Sequence, residues 1–130
     1  MKYLLDTHIL LWAAAGELPR SARKYFVDEN ELFFSPASIW EIVIKNARDK
    51  SDFQIDINEF YPALLDAGYK ELAILAKHAI MLDSLPEIHK DPFDRILIAQ
   101  ALSEKIDLIT ADEKMAEYPK GIIKIASGGR

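Results

Sequence analysis

His89-Lys90-Asp91-Pro92-Phe93-Asp94-Arg95-Ile96-Leu97-Ile98-Ala99-Gln100-Ala101 is the stretch whose reading decides the fold. Pro92 suits the first position of a helix, where its missing N–H would have no intrahelical partner in any case. Asp91 is then the N-cap, and Asp94 falls in the first turn, where the partial positive charge of the helix end favours an anion. Ile96, Leu97, Ile98, Ala99, Ala101 and Leu102 follow, apolar almost all round, which is the pattern of a buried helix. Capping accounts for Asp91 completely. Asp94 is different: the dipole is worth only about 0.3–1 kcal/mol to it, and an unpaired charge beside so apolar a run is costly. It is suited to a cation placed above it.

Working outward, short apolar runs alternate with helical segments on both sides. Lys2 to Leu5 reads as a strand ending in Asp6-Thr7, and His8 to Ala15 as a helix closed by Gly16. Pro19 predicts a second amphipathic helix with Ala22, Tyr25, Phe26 and Val27 inward. After a strand at Glu31 to Phe34, Ser35-Pro36 repeats the cap-and-proline start and opens a helix to Arg48, with Trp40, Val43, Ile44 and Ala47 as its apolar stripe. Asp49 to Asp52 is a polar loop. Ile57 to Ala67 predicts a helix ended by Gly68, with Pro62 near its first turn or bending it. Tyr69 to Ile74 predicts a strand, followed by a short helix to Leu82 and a loop from Asp83 to Lys90. Beyond the central helix come a strand at Asp107 to Thr110, a short helix capped by Asp112, and a last strand over residues 122–126. The reading is of one α/β domain over residues 1–126, with residues 127–130 as a frayed tail. Its core is a central, mostly parallel sheet of four to five strands with helices on both faces.

Composition narrows the function. Of the 130 residues, half are hydrophobic and 28% charged, which describes a globular protein and not a disordered chain. No apolar run approaches the roughly 20 residues of a membrane span, and the opening Met1-Lys2-Tyr3-Leu4-Leu5-Asp6 is too short and too early in charge for a signal peptide. The sequence has no cysteine, which excludes disulfides and thiolate metal sites and points to a reducing cytoplasm. A net charge of −5 argues mildly against nucleic acid, unless the acids are concentrated in one metal-binding pocket.

Such a concentration is what the topology predicts. Ligands of open α/β sheets bind beyond the carboxyl ends of the strands. Asp6 ends the first strand, Asp112 lies just past the strand at Asp107 to Thr110, Glu41 sits early in the helix after the second strand, and Asp94 opens the central helix. Taken singly, each has a plain structural explanation. Asp6 could help cap the helix after it, though Thr7 can do so; Glu41 could pair with Lys45 four residues on; Asp94 and Asp112 could belong to helix starts. None of these explains why all of them fall at one edge of the sheet. Crowded carboxylates raise one another's pKa unless a cation is present. An oxygen-only set without cysteine selects Mg²⁺ or Mn²⁺. The histidines carry less: His8 reads as a helix-surface residue, His78 as packing or a buried hydrogen bond, and His89 as a loop residue, with no pair spaced for zinc. Trp12 and Trp40 read as core or interface. Two alternatives come from other classes: a phosphatase using Asp6 as nucleophile, which would want an acid where His8 stands, and a domain of this fold kept only as a binding module.

With those residues placed, the chain resembles the PIN-domain ribonucleases of the VapC toxin type. The resemblance rests on Leu4-Leu5-Asp6-Thr7-His8-Ile9-Leu10-Leu11-Trp12, Ser35-Pro36-Ala37-Ser38-Ile39-Trp40-Glu41-Ile42, His89 through Ala101, and Leu108-Ile109-Thr110-Ala111-Asp112, nearly end to end. It implies a PIN-like three-layer α/β/α sandwich and carries the family's acidic residues over as Asp6, Glu41, Asp94 and Asp112. It further implies endonucleolytic cleavage of RNA with Mg²⁺ or Mn²⁺, a homodimer and a cognate antitoxin. One segment departs from the family: where relatives often carry a Gly-Lys-Leu turn, this chain reads Asp49-Lys50-Ser51-Asp52-Phe53. Thr7, Arg95, Thr110 and Lys45 are supporting or substrate-contacting candidates, and Arg20, Arg23, Lys45, Arg48 and Lys114 are candidate phosphate contacts. Surplus apolar surface around Leu11, Trp12 and Tyr25 is the expected dimer face.

Overall fold

A computed structural model describes residues 1–48 and 54–125. The expected loop at 49–53, the tail at 127–130 and the end of the last strand lie outside the described residues. Five strands, β1 (Lys2–Leu5), β2 (Glu31–Phe34), β3 (Lys70–Glu71), β4 (Asp107–Thr110) and β5 (Ile122–Lys124), form one all-parallel sheet in the order β3-β2-β1-β4-β5. The helices are α1 (Thr7–Ala15), α2 (Pro36–Arg48), α3 (Ile57–Asp66), α4 (Ala76–Met81), α5 (Pro92–Glu104) and α6 (Glu113–Ala116). They cover the sheet as a three-layer α/β/α sandwich.

Side-chain alternation along β1 divides the core between the faces. Tyr3 and Leu5 point to one side, with Ile9 and Leu10 of α1, Phe34, Leu64 of α3 and Ile109. Leu4 points to the other, with Leu97, Ile98 and Ala101 of α5, Ala37, Leu108 and Met115. The quoted stretch behaves as its sequence predicts. Asp91 caps α5, accepting from the backbone N–H of Phe93 and Asp94 at 2.9 and 3.0 Å, and the helix from Leu97 to Ala101 is buried. Gly16 closes α1 in the left-handed conformation (φ 71°), where a Cβ would be strained.

Three expectations are corrected. Residues 20–25 form a 3₁₀ turn and not an α-helix, with i to i+3 bonds from Ala22 to Pro19 and from Phe26 to Arg23, although Ala22 is buried and Tyr25 and Phe26 pack on the core as expected. β3, at the edge of the sheet, stops at Glu71, opposite the end of its neighbour β2 at Phe34, and the buried Gln100 donates to the next carbonyls, Leu72 at 2.9 Å and Ala73 at 3.3 Å. Of the two placements the sequence left open for Pro62, the structure has it inside α3 and not in the first turn. The stripe of Trp40, Val43, Ile44 and Ala47 faces outward, with Trp40 63% exposed, while Ala37, Ser38 and Ile42 are the residues turned in. Trp40 stands two residues from both Ser38 and Ile42, roughly 200° round the helix from each.

Leu11, Trp12 and Tyr25 are partly buried, with Trp12 and Tyr25 packed on the core; the exposed apolar side chains are instead Val43, Leu65, Leu75, Ile80 and their neighbours. His78 is fully buried and ties α4 to α5. Its Nδ1 accepts from the Leu75 N–H at 2.9 Å, which places the proton on Nε2, 2.7 Å from Glu104. That hydrogen bond, with Lys77 behind it, holds the Glu104 carboxyl below the ordinary range. His78→Ala is expected to lower unfolding stability by about 2 kcal/mol, through the stranded N–H and the lost packing, while metal affinity is unchanged. Chemical denaturation and a metal titration check the two halves.

Candidate metal centre

Strand order reverses between β1 and β4, since β2 and β3 are laid down on one side of β1 and β4 and β5 on the other. The carboxyl ends at such a switch point form the crevice of an open α/β sheet. β1 ends there in Asp6 and β4 in Thr110, two residues before Asp112. Glu41 of α2 and Asp94 of α5 come to the same place.

Asp6 is 3% exposed and is the N-cap of α1, a role the sequence allowed equally to Thr7. One carboxyl oxygen accepts from the Ile9 N–H at 2.8 Å, and the other accepts from the Thr110 hydroxyl. Thr110 Oγ1 in turn accepts from the Asp112 N–H at 3.0 Å, so one buried hydroxyl joins two of the acids. Asp112 caps α6, accepting from Lys114 and Met115. Freed from capping, Thr7 has another partner. Its hydroxyl lies 2.7 Å from Glu41 Oε1 and 2.8 Å from Ser38 Oγ. A carboxylate only accepts, so the Thr7 proton goes to Glu41 and Ser38 donates to Thr7.

Burial pushes the Asp6 carboxyl up to about 6, against the opposing hydrogen bonds from Thr110 and Ile9. The Asp94 carboxyl is pushed up to about 8, first by burial and then by the charges of Asp91, Glu41, Asp6 and Asp112. Five acidic groups therefore act on one another here, and Asp91, read from sequence as a cap alone, belongs to the electrostatics of the cluster.

His89 was read as a loop residue and is the main omission. Its Nε2 lies 2.8 Å from Asp94 Oδ2 and 3.7 Å from Asp112 Oδ2. The loop that carries it folds back over the start of α5 and is clamped there. The Arg95 guanidinium donates to the carbonyls of Pro86 and His89 at 3.0 and 3.3 Å and reaches the Tyr118 hydroxyl at 3.3 Å, which also accepts from the His89 N–H at 3.0 Å. Arg95 thus holds the loop that brings His89 to Asp94. The signal in the sequence was proximity: a histidine two residues before an N-cap, on a loop with no other route to the helix start.

Of the candidate phosphate contacts, Lys45 and Arg48 line a hollow of about 280 Å³ with Glu41, Ile44, Asp91 and Phe93, at the border of the acids. Lys114 pairs with Glu117 at 3.7 Å. Arg20 and Arg23 fall in the connection from the end of α1 to the start of β2, toward the opposite edge of the sheet.

The donor set suits a divalent cation. Asp6 and Asp94 resist ionisation chiefly because they are buried, with the neighbouring acids adding to the effect at Asp94, and a bound cation would relieve both burial and repulsion. Among the described residues, His89, Asp94 and Asp112 bring one ligand atom each within 4.8 Å of the others, while Asp6 and Glu41 lie near enough for their charges to act on Asp94 but do not join that set.

The chain belongs to the PIN domain family, which matches residues 3–121. Within that family its fold is similar to those of several solved toxin–antitoxin proteins. Against VapBC2 from Rickettsia felis bound to a promoter DNA fragment, the TM-score is 0.73 at 17% identity, covering 96% of this chain and 99% of that one. A toxin–antitoxin complex from Klebsiella pneumoniae gives 0.63 at 20% identity, covering 95% and 99%. DNA-bound VapBC from Salmonella typhimurium gives 0.66 at 15% identity, covering 96% and 97%. Among curated proteins, none matches the sequence significantly. Among the described residues no helix is long and apolar enough to cross a membrane.

Proposed function

We propose that this chain is an endoribonuclease that hydrolyses RNA phosphodiester bonds with Mg²⁺ or Mn²⁺ held by Asp6, Glu41, Asp94 and Asp112, and that it is the toxin of a toxin–antitoxin pair. The observation that carries the reading is the gathering of these carboxylates at the switch point, with burial, and at Asp94 the neighbouring acids, raising Asp6 and Asp94 toward neutral pH. When bound, the metal supplies Lewis-acid stabilisation of the phosphoryl oxygens and activation of water. The chain's own residues do the rest. Asp6 and Asp94 hold the ion, with Thr110 and the α1 N-terminus fixing the orientation of Asp6. Thr7 holds Glu41 turned inward, and the α6 N-terminus holds Asp112. Lys45 and Arg48 receive the flanking phosphates. The acids repel RNA until metal neutralises them, which couples substrate binding to metal loading.

The similar structures of toxin–antitoxin complexes support a cognate antitoxin as partner. Such a partner would inhibit by placing an Arg among Asp6, Glu41 and Asp94, where a guanidinium can bond carboxylates bidentately. A homodimer accords with the exposed apolar side chains of α2 to α4. The test is to incubate the purified chain with structured and unstructured RNAs in Mg²⁺, Mn²⁺ or EDTA and to map the cuts. Internal cleavage with either metal and none in EDTA is expected; full cleavage in EDTA would overturn the proposal.

A further inference from the structure

We propose that His89 is itself a ligand of the bound ion, through Nε2 and beside Asp94 and Asp112, and that its imidazole makes the centre favour a first-row transition ion such as Mn²⁺ over Mg²⁺. The inference rests on the metal-centred reading above and adds a nitrogen to a set read from sequence as oxygen alone.

His89 Nε2 is shielded from solvent and 2.8 Å from Asp94 Oδ2, yet it has no hydrogen-bond partner among the described residues. The in-plane direction from Nε2 misses the carboxylate it touches. Two polar atoms pressed together at hydrogen-bond distance without a hydrogen bond are costly if nothing else joins them. They are what two adjacent ligands of one ion look like. At metal–oxygen distances of about 2.0–2.1 Å, neighbouring ligands in an octahedron are about 3 Å apart, each directed at the metal and not at the other. One ligand atom from each of His89, Asp94 and Asp112 lies within 4.8 Å of the other two, so all can face one ion. The clamp of Arg95 and Tyr118 on the His89 backbone holds the ring in place from outside the acid cluster. Ligation through Nε2 needs the proton on Nδ1, which now accepts a long 3.4 Å contact from the Asp91 N–H; that contact is what the ring gives up. Imidazole suits transition ions, whereas Mg²⁺ takes oxygen ligands and keeps its waters, so the added nitrogen discriminates between them.

The test uses the full chain, stripped of metal and loaded with Mn²⁺ alone. Pulsed EPR of the bound Mn²⁺ should show ¹⁴N coupling from a directly bonded imidazole, lost in His89→Gln. By calorimetry, His89→Gln should weaken Mn²⁺ on the order of 10- to 100-fold, a scale reached even by groups that only orient ligands, with a much smaller change for Mg²⁺. The wild-type spectrum stands whether or not the variant folds. Bound Mn²⁺ without ¹⁴N coupling, or with coupling that survives in folded His89→Gln, would overturn ligation by His89 and leave the carboxylate centre intact. If the wild-type chain binds no Mn²⁺, the metal-centred reading fails and this inference fails with it.

Discussion

At pH 8 and without divalent metal, Asp94→Asn is expected to melt about 6 °C above the wild-type protein, and with metal present to cleave RNA at least about a thousandfold more slowly. The two effects have one cause. The Asp94 carboxyl titrates near 3.8 when unfolded and at about 8 when folded, because burial and the neighbouring acids oppose its charge. Between those values the folded state binds more protons than the unfolded one, so stability falls as pH rises. The loss begins above the unfolded value and is complete once pH passes the folded one. Asn keeps the shape and has no charge to repel. Asp94 retains some solvent access, so we set the effect at about 2 kcal/mol, which for a domain of this size is about 6 °C. Activity moves the other way, since an amide cannot replace a carboxylate that holds the ion stabilising the transition state. Melting curves at pH 5 and 8 check the sign: the wild-type protein should lose stability across that interval and the variant should lose less. Added metal should restore the wild-type protein most at pH 8.

Thr110→Val is expected to slow cleavage about 10- to 100-fold and to cost about 2 kcal/mol, although Thr110 need not touch substrate or metal. Its fully buried hydroxyl donates to Asp6 and accepts from the Asp112 N–H. Valine has nearly the same shape and neither bond. Asp6 then loses the largest of the influences that hold its carboxyl down, so its pKa rises further and metal binding should require higher pH. Thr110→Ser restores the hydroxyl and should recover most of the activity. A Val variant with wild-type metal affinity and unchanged pH profile would show that Thr110 serves packing alone.

Much of this was legible in the sequence where local chemistry and tertiary role agree. Asp91-Pro92 starts a helix for reasons contained in those two residues, and the apolar run behind them leaves it only a buried place. Lys2 to Asp6 and Leu108 to Asp112 show the same agreement, a short apolar strand followed by an acid. The errors came where a residue's neighbours in space decide. The stripe of Trp40 and Val43 has helical spacing, but periodicity does not say which face meets the sheet; in the fold Ala37, Ser38 and Ile42 turn in, and Ser38 and Glu41 both meet Thr7. β3 is short because its neighbour β2 ends at Phe34, opposite Glu71, which the sequence of the β3 segment alone does not say. His89 escaped notice because a loop histidine gains meaning only when Arg95 and Tyr118 fold the loop onto Asp94, and neither contact has a local signature.

The account stands most directly on one measurement: RNA cleavage by the wild-type chain and by Asp6→Asn, purified alike, at equal concentration and in the same Mg²⁺ or Mn²⁺ buffer. Asn preserves the volume of the buried side chain and can still accept from the Ile9 N–H, so circular dichroism should find the variant folded. Metal-dependent cleavage by the wild-type chain and at least about a hundredfold less by folded Asp6→Asn is the predicted result. Cleavage by the variant at the wild-type rate would contradict the account.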